Sequence, residues 1–110
     1  MIPAFSIIIP TLNESQSIRT TITRIIGHLW LLHLDAEIII VDDNSKDDTV
    51  NIVNSMREIY PEIVCFVRDR DPGLSQSVMY GFEHALSDIF VVTDADADLL
   101  KSGRPFHLEH

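Results

Sequence analysis

Four short apolar runs, at residues 5–9, 37–41, 63–67 and 89–93, alternate with longer stretches in which apolar residues recur every three or four positions. The runs are rich in isoleucine and valine and nearly continuous. Strands covered on both faces read this way, so the runs predict a parallel sheet. The first intervening stretch puts Ile18, Ile22, Ile25, Ile26 and Leu29 on one stripe, with Asn13 and Gln16 as a capping box at its start. The second runs from about Lys46 with Ile52, Val53, Met56 and Ile59 inward, Ser45 as its cap and Pro61 as its stop. The third carries Leu74, Val78, Phe82, Ala85 and Leu86. Gly27 and Gly81 fall inside helices at about 1 kcal/mol each, which tight packing on the sheet would explain.

The resulting order, βαβαβαβ, predicts an α/β fold: an open, doubly wound parallel sheet with helices on both faces. No linker, repeat or low-complexity segment interrupts it. After Leu100 the sequence turns polar without a helix to cover the last strand, which reads as part of a larger domain. Residues 108–110 read as a purification-tag remnant, leaving 1–107 as a partial domain. A domain cut in this way would expose apolar surface or a strand edge, so a homodimer or exchange of segments is expected.

Composition narrows the partners. With 110 residues and 45% hydrophobic positions the chain is one folded domain. Seventeen acids against eight Lys plus Arg give a net charge of −9, which disfavours nucleic acid as a partner. The single cysteine, Cys65, lies within an apolar run, reads as an inert core thiol and fits a reducing, cytoplasmic setting. No apolar run reaches the ~20 residues of a membrane span.

Ligands of an open parallel sheet bind beyond the carboxyl ends of its strands, and here every strand releases polar groups at that edge. Residues 10–14 (Pro-Thr-Leu-Asn-Glu) follow the first, 42–45 (Asp-Asp-Asn-Ser) the second, 68–73 (Arg-Asp-Arg-Asp-Pro-Gly) the third, and 94–98 (Asp-Ala-Asp-Ala-Asp) the fourth. Like charges crowded at a strand end repel, so Asp94, Asp96 and Asp98 suggest a hard cation held against a diphosphate. Helix capping by Asp42, Asp43 and Ser45, loop ion pairs of Arg68 and Arg70, and a plain polar turn at 94–98 are the alternative readings. His28, His33 and His84 fall in helices without ligand partners at metal spacing.

Taken in order, Pro10 to Glu14, Val41 to Thr49, Gly73-Leu74-Ser75 with Gly81, and Asp94-Ala95-Asp96 resemble the nucleotide-binding half of family 2 glycosyltransferases, inverting enzymes of the Rossmann-like GT-A fold. Dolichol- and polyprenyl-phosphate sugar transferases are the most similar subgroup. The resemblance implies that Pro10, Thr11 and Glu14 line a base and ribose pocket, with Asp42 or Asp43 bonding the base or sugar edge. It makes Arg68 a basic donor-binding position and puts Asp94 near the ribose. Asp96 would coordinate Mg²⁺ or Mn²⁺, joined by Asp98 where the subgroup often has Gln. The implied donor is a GDP- or UDP-linked hexose and the acceptor a polyprenyl or dolichyl phosphate. Membrane association of the parent would then run through segments outside this chain, and the portion alone would be inactive. Asn44 stands where Gly is more common, Pro72 where a basic residue is, and Ser77 where Ala is. The rival readings are a phospho-accepting receiver, suggested by residues 39–44, and a non-catalytic nucleotide- or metal-binding module.

Overall fold

A computed structural model describes residues 2–95 and follows the expected order: β1 (Phe5–Thr11), α1 (Ile18–Leu31), β2 (Ala36–Asp42), α2 (Thr49–Arg57), β3 (Ile63–Val67), α3 (Leu74–His84) and β4 (Phe90–Val92). All pairings are parallel, and the strand order is β3-β2-β1-β4. The chain therefore steps from β1 to one side, through β2 and β3, then crosses back to place β4 on the other side of β1. This reversal opens a crevice at the carboxyl ends of β1 and β4, where open α/β sheets receive ligands.

Alternation along the strands divides the core into two layers. Ile7, Ile9, Ile38 and Ile40 pack against Ile18, Ile22, Ile25 and Ile26 of α1 and Val53 and Met56 of α2. Ile8, Ile39 and Val41 face the opposite way, toward Tyr80, Phe82 and Ala85 on or after α3. Helices thus cover both faces. Gly81 allows α3 to lie directly on β1, since an added Cβ would come within 2.7 Å of Ile8 Cγ2. Gly27 is different: a Cβ there would meet nothing within 4 Å, so packing among the described residues does not explain it.

Several local expectations change. Asn13 adopts φ 55° in the β1–α1 loop and caps nothing; α1 starts four residues later, from Ser17. Ser45 belongs to the β2–α2 loop, and α2 begins only at Thr49. Ile59 and Leu86 lie past the ends of α2 and α3 and are exposed, and Leu74, the first residue of α3, is exposed as well. His33 lies past α1, not in it, at φ 54°. The Leu34 N–H bonds the Leu29 carbonyl (2.9 Å) and the His33 N–H that of Trp30 (3.2 Å), a left-handed stop usually made by glycine.

The opposite edge of the sheet holds one buried carboxylate. Glu37 Oε2 accepts from Ser6 Oγ and from the Leu86 N–H, both at 2.6 Å, and so ties the α3–β4 connection beneath the sheet.

Candidate nucleotide-binding edge

The β1–α1 and β2–α2 loops interlock through groups that short polar side chains supply. The Asn13 N–H donates to Ser45 Oγ at 2.8 Å, and the Lys46 N–H returns a 2.8 Å bond to Asn13 Oδ1. The Glu14 N–H donates to Thr49 Oγ1 and the Ser15 N–H to Asp47 Oδ2. Bonds from Thr49 and Ser15 favour the ionised form of Asp47 and hold its carboxyl at about 2, below its ordinary value of 3.8. Non-glycine residues with positive φ gather here: Asn13, Asn44 (62°) and Asp71 (49°) are three of the four in the described residues. Such conformations cost energy and persist where neighbouring contacts impose them. Asn44 confirms that asparagine serves the left-handed turn where glycine is more common.

Asp42 and Asp43 are adjacent yet do different things, because side chains alternate between sheet faces. Asp42 is fully buried on the α1/α2 side. It accepts from Thr11 Oγ1 (2.6 Å), the Ser45 N–H (2.7 Å) and Ser45 Oγ (2.6 Å). Its carboxylate, and with it the Thr11 hydroxyl, is occupied in shaping the loop. Asp43 points toward α3, where Oδ2 accepts the Gly73 N–H at 2.8 Å and Oδ1 lies 3.6 Å from Arg68 Nη1. Arg68 Nη2 donates to the carbonyls of Arg70 (2.9 Å) and Asp71 (3.1 Å), so one guanidinium joins the β3–α3 loop to Asp43. Gly73 holds φ 145°, and a Cβ there would collide with Gln76 Oε1.

Pro10 sits where β1 would offer its next N–H to β4. The Thr93 N–H bonds the Ile8 carbonyl at 3.0 Å, and the β1–β4 ladder stops there. Having no N–H, Pro10 cannot extend it, which frees the chain after Thr93 to turn across the crevice. Asp94 emerges exposed at this turn. Ala95 is buried, and its carbonyl accepts from Ser17 Oγ (3.0 Å) and Thr21 Oγ1 (2.8 Å), which anchor the segment to the start of α1. These two anchors were not anticipated, although Thr21, a polar residue buried beside Ile18, Ile22 and Ile25, carried the signal. Asp96 and Asp98, the expected metal ligands, lie outside the described residues.

The structure therefore brings Pro10, Thr11, Glu14, Asp42, Asp43, Arg68 and Asp94 to one edge. β2 and β4 are separated only by β1, which sets their ends about 10 Å apart at the usual strand spacing. The edge is acidic, with Asp42, Asp43, Asp47, Asp48 and Asp94 against Lys46, Arg68 and Arg70. Among the described residues no three His, Cys, Asp or Glu form a metal cluster, and no helix is long and apolar enough to cross a membrane. Cys65 is half-buried in β3, and burial, followed by the nearby Asp42 charge, pushes its thiol up to about 11.

Residues 6–102 match the sequence profile described as Glycosyl transferase family 2. A "Dolichol-phosphate mannosyltransferase" of Pyrococcus furiosus is 40% identical over 91 residues, spanning 83% of this chain and 25% of that protein. An "Undecaprenyl-phosphate 4-deoxy-4-formamido-L-arabinose transferase" of Enterobacter sp. is 35% identical over 92 residues, 83% of this chain and 28% of that one. Among solved structures, the mannosyltransferase PcManGT from Pyrobaculum calidifontis, in complex with GDP-Man and Mn²⁺, superposes with a TM-score of 0.76 at 26% identity. That match covers 87% of this chain and 28% of PcManGT. S. aureus TarS 1-349 in complex with UDP-GlcNAc shares the fold at TM-score 0.66 and 23% identity, over 94% of this chain and 30% of TarS.

Proposed function

Since the chain belongs to glycosyl transferase family 2, we propose that it is the donor-binding portion of an inverting hexosyltransferase using a GDP-mannose- or UDP-glucose-type sugar nucleotide. The observation carrying this reading is the convergence of Pro10 to Glu14, Asp42-Asp43 and Asp94 around the carboxyl end of β1, beside the crevice between β1 and β4. Family membership sets the receiver reading aside.

In this reading Asp43, the more accessible of the paired acids, meets the base or ribose edge, with Arg68 and the Gly73 N–H fixing its direction. Asp42 and Thr11 preform the loop beneath the base, and Pro10 and Glu14 line its approach. Asp94 stands near the ribose. An acidic edge repels a diphosphate unless a cation intervenes, and a carboxylate set suits a hard divalent ion. Asp96 and Asp98, immediately downstream of the anchored Ala95, would hold Mg²⁺ or Mn²⁺, as Asp-Ala-Asp-Ala-Asp spacing permits. When bound, the ion would offset charge building on the departing nucleoside diphosphate. PcManGT, which binds GDP-Man and Mn²⁺, supports this assignment. The two relatives named for lipid-phosphate acceptors support a polyprenyl or dolichyl phosphate acceptor. The chain spans about a quarter of their length, so acceptor binding and turnover are assigned to segments outside it.

The test is calorimetric titration of the chain with GDP and UDP, with and without Mn²⁺. Mn²⁺ is expected to strengthen nucleotide binding, and Asp96→Asn to remove that gain without lowering the unfolding midpoint. Equal Mn²⁺-dependent affinity in Asp96→Asn would take the residue out of the metal role.

A further inference from the structure

Two hydroxyls at the start of α1 pass over the partners nearest to them. Ser17 occupies the N-cap, where a serine side chain ordinarily accepts an N–H of the first turn, yet it makes no such bond. Thr21 is fully buried on the stripe of Ile18, Ile22 and Ile25, where a helical threonine can return its proton to the carbonyl four residues back. Both protons go instead to the Ala95 carbonyl, 3.0 Å from Ser17 Oγ and 2.8 Å from Thr21 Oγ1, across 78 and 74 residues of sequence. A carbonyl oxygen has two lone pairs, so the two hydroxyls saturate it.

Planarity carries this constraint onward. The Ala95 carbonyl belongs to the planar unit that joins Ala95 to Asp96, so holding its oxygen fixes the plane from which the chain continues. The Ala95 side chain is in the core cluster with Ile18 and Ile22, while Asp94 is exposed at the turn. The same end of α1 is tied to the other loops of the edge. The Ser17 and Ile18 N–H groups bond the Glu14 carbonyl (3.0 and 2.9 Å), and the Glu14 N–H donates to Thr49 Oγ1 at 2.8 Å. One helix start thus joins the β1–α1 and β2–α2 loops to the aspartate turn.

We propose, resting on the donor-site reading above, that Ser17 and Thr21 are positioning residues. Acting through the Ala95 carbonyl, they set the turn at Asp94 and Ala95 against the base-side loops, and so set how much a divalent ion adds to nucleotide binding. Packing alone requires the shape of Thr21, which valine closely reproduces. Positioning requires its proton.

Calorimetric titration of the chain with GDP and UDP, with and without Mn²⁺, separates the two roles when read as the ratio of the two affinities. Thr21→Val should lower that ratio by about fivefold, the loss of one hydrogen bond, while metal-free affinity stays at the parent's. Ser17→Ala should do the same, and this half-buried residue has no cap bond to lose. Thr21→Ser keeps the proton and drops a buried methyl, so it should retain the ratio and lower the unfolding midpoint. The inference is overturned if Thr21→Val and Ser17→Ala keep the parent's ratio, whether or not both affinities fall together, or if Thr21→Ser loses as much as Thr21→Val. A parent chain that gains nothing from Mn²⁺ overturns the donor-site reading and this inference with it. A gain abolished in Asp96→Asn but intact in Thr21→Val and Ser17→Ala overturns this inference alone.

Discussion

Replacing Asp42 by alanine isolates the division of labour between the paired acids. Three short bonds end on this fully buried carboxylate, from Thr11 Oγ1, the Ser45 N–H and Ser45 Oγ. Hydrogen bonds to a charged group are worth about 1.5–3 kcal/mol each, but the variant also removes the cost of burying the charge, and the two hydroxyls can turn elsewhere. The Ser45 N–H has no such freedom. A net loss of about 3 kcal/mol follows, a large share of the 5–15 kcal/mol that roughly spans domain stabilities. With a urea slope of about 1–1.5 kcal/mol/M for a domain this size, the midpoint should fall by about 2 M. Asp43→Ala removes one bond and one 3.6 Å ion pair from a less buried position, so it should cost about 1 kcal/mol while weakening GDP or UDP binding more than stability. Paired urea melts and nucleotide titrations read both quantities. Equal destabilisation by the two variants, or a midpoint for Asp42→Ala within about 0.4 M of the parent, would refute the assignment of Asp42 to loop architecture.

The two helical glycines should respond in opposite directions. Gly81→Ala forces a methyl within 2.7 Å of Ile8 and should destabilise by about 1–3 kcal/mol, whereas Gly27→Ala should stabilise by up to about 1 kcal/mol, both read by thermal melts. Asp47 supplies a pH signature. Its carboxyl titrates lower in the folded chain (about 2) than its ordinary 3.8, so its contribution is complete above about pH 4 and is lost as pH falls toward 2; in Asp47→Asn that part of the acid limb of a urea-midpoint profile should flatten. Cys65, with its thiol pushed up to about 11, should react with iodoacetamide far more slowly in the native chain than in urea, and equal rates would contradict its burial.

Element type was legible because it depends on local period. Near-continuous β-branched runs announce four parallel strands, and the carboxyl-edge rule then places the polar loops together. Helix starts were misread for an equally local reason. Asn13 and Ser45 have side chains that suit a helix cap, but each instead bonds the other's loop, 32 or 33 residues away in sequence. A cap and a loop-to-loop bridge use the same donors and acceptors, so composition does not separate them.

What the sequence determined by itself was the α/β class, the order of elements and the edge where chemistry gathers, since each follows from periodicity and from the chirality of the crossovers. Tertiary structure decided which of two neighbouring aspartates is buried in the β1–α1/β2–α2 loop scaffold and which turns toward Arg68 and Gly73 of the β3–α3 loop. It also showed that Pro10 ends a ladder, that Ser17 and Thr21 hold the turn before Asp96, and that a side chain's Cβ at Gly27 would meet nothing among the described residues. The physical reason is that these roles are properties of pairs: a group's function depends on which partners the strand order and pleat bring against it, and Thr11 lies 31 residues from Asp42, Gly73 30 from Asp43, and Ser17 78 from the Ala95 carbonyl.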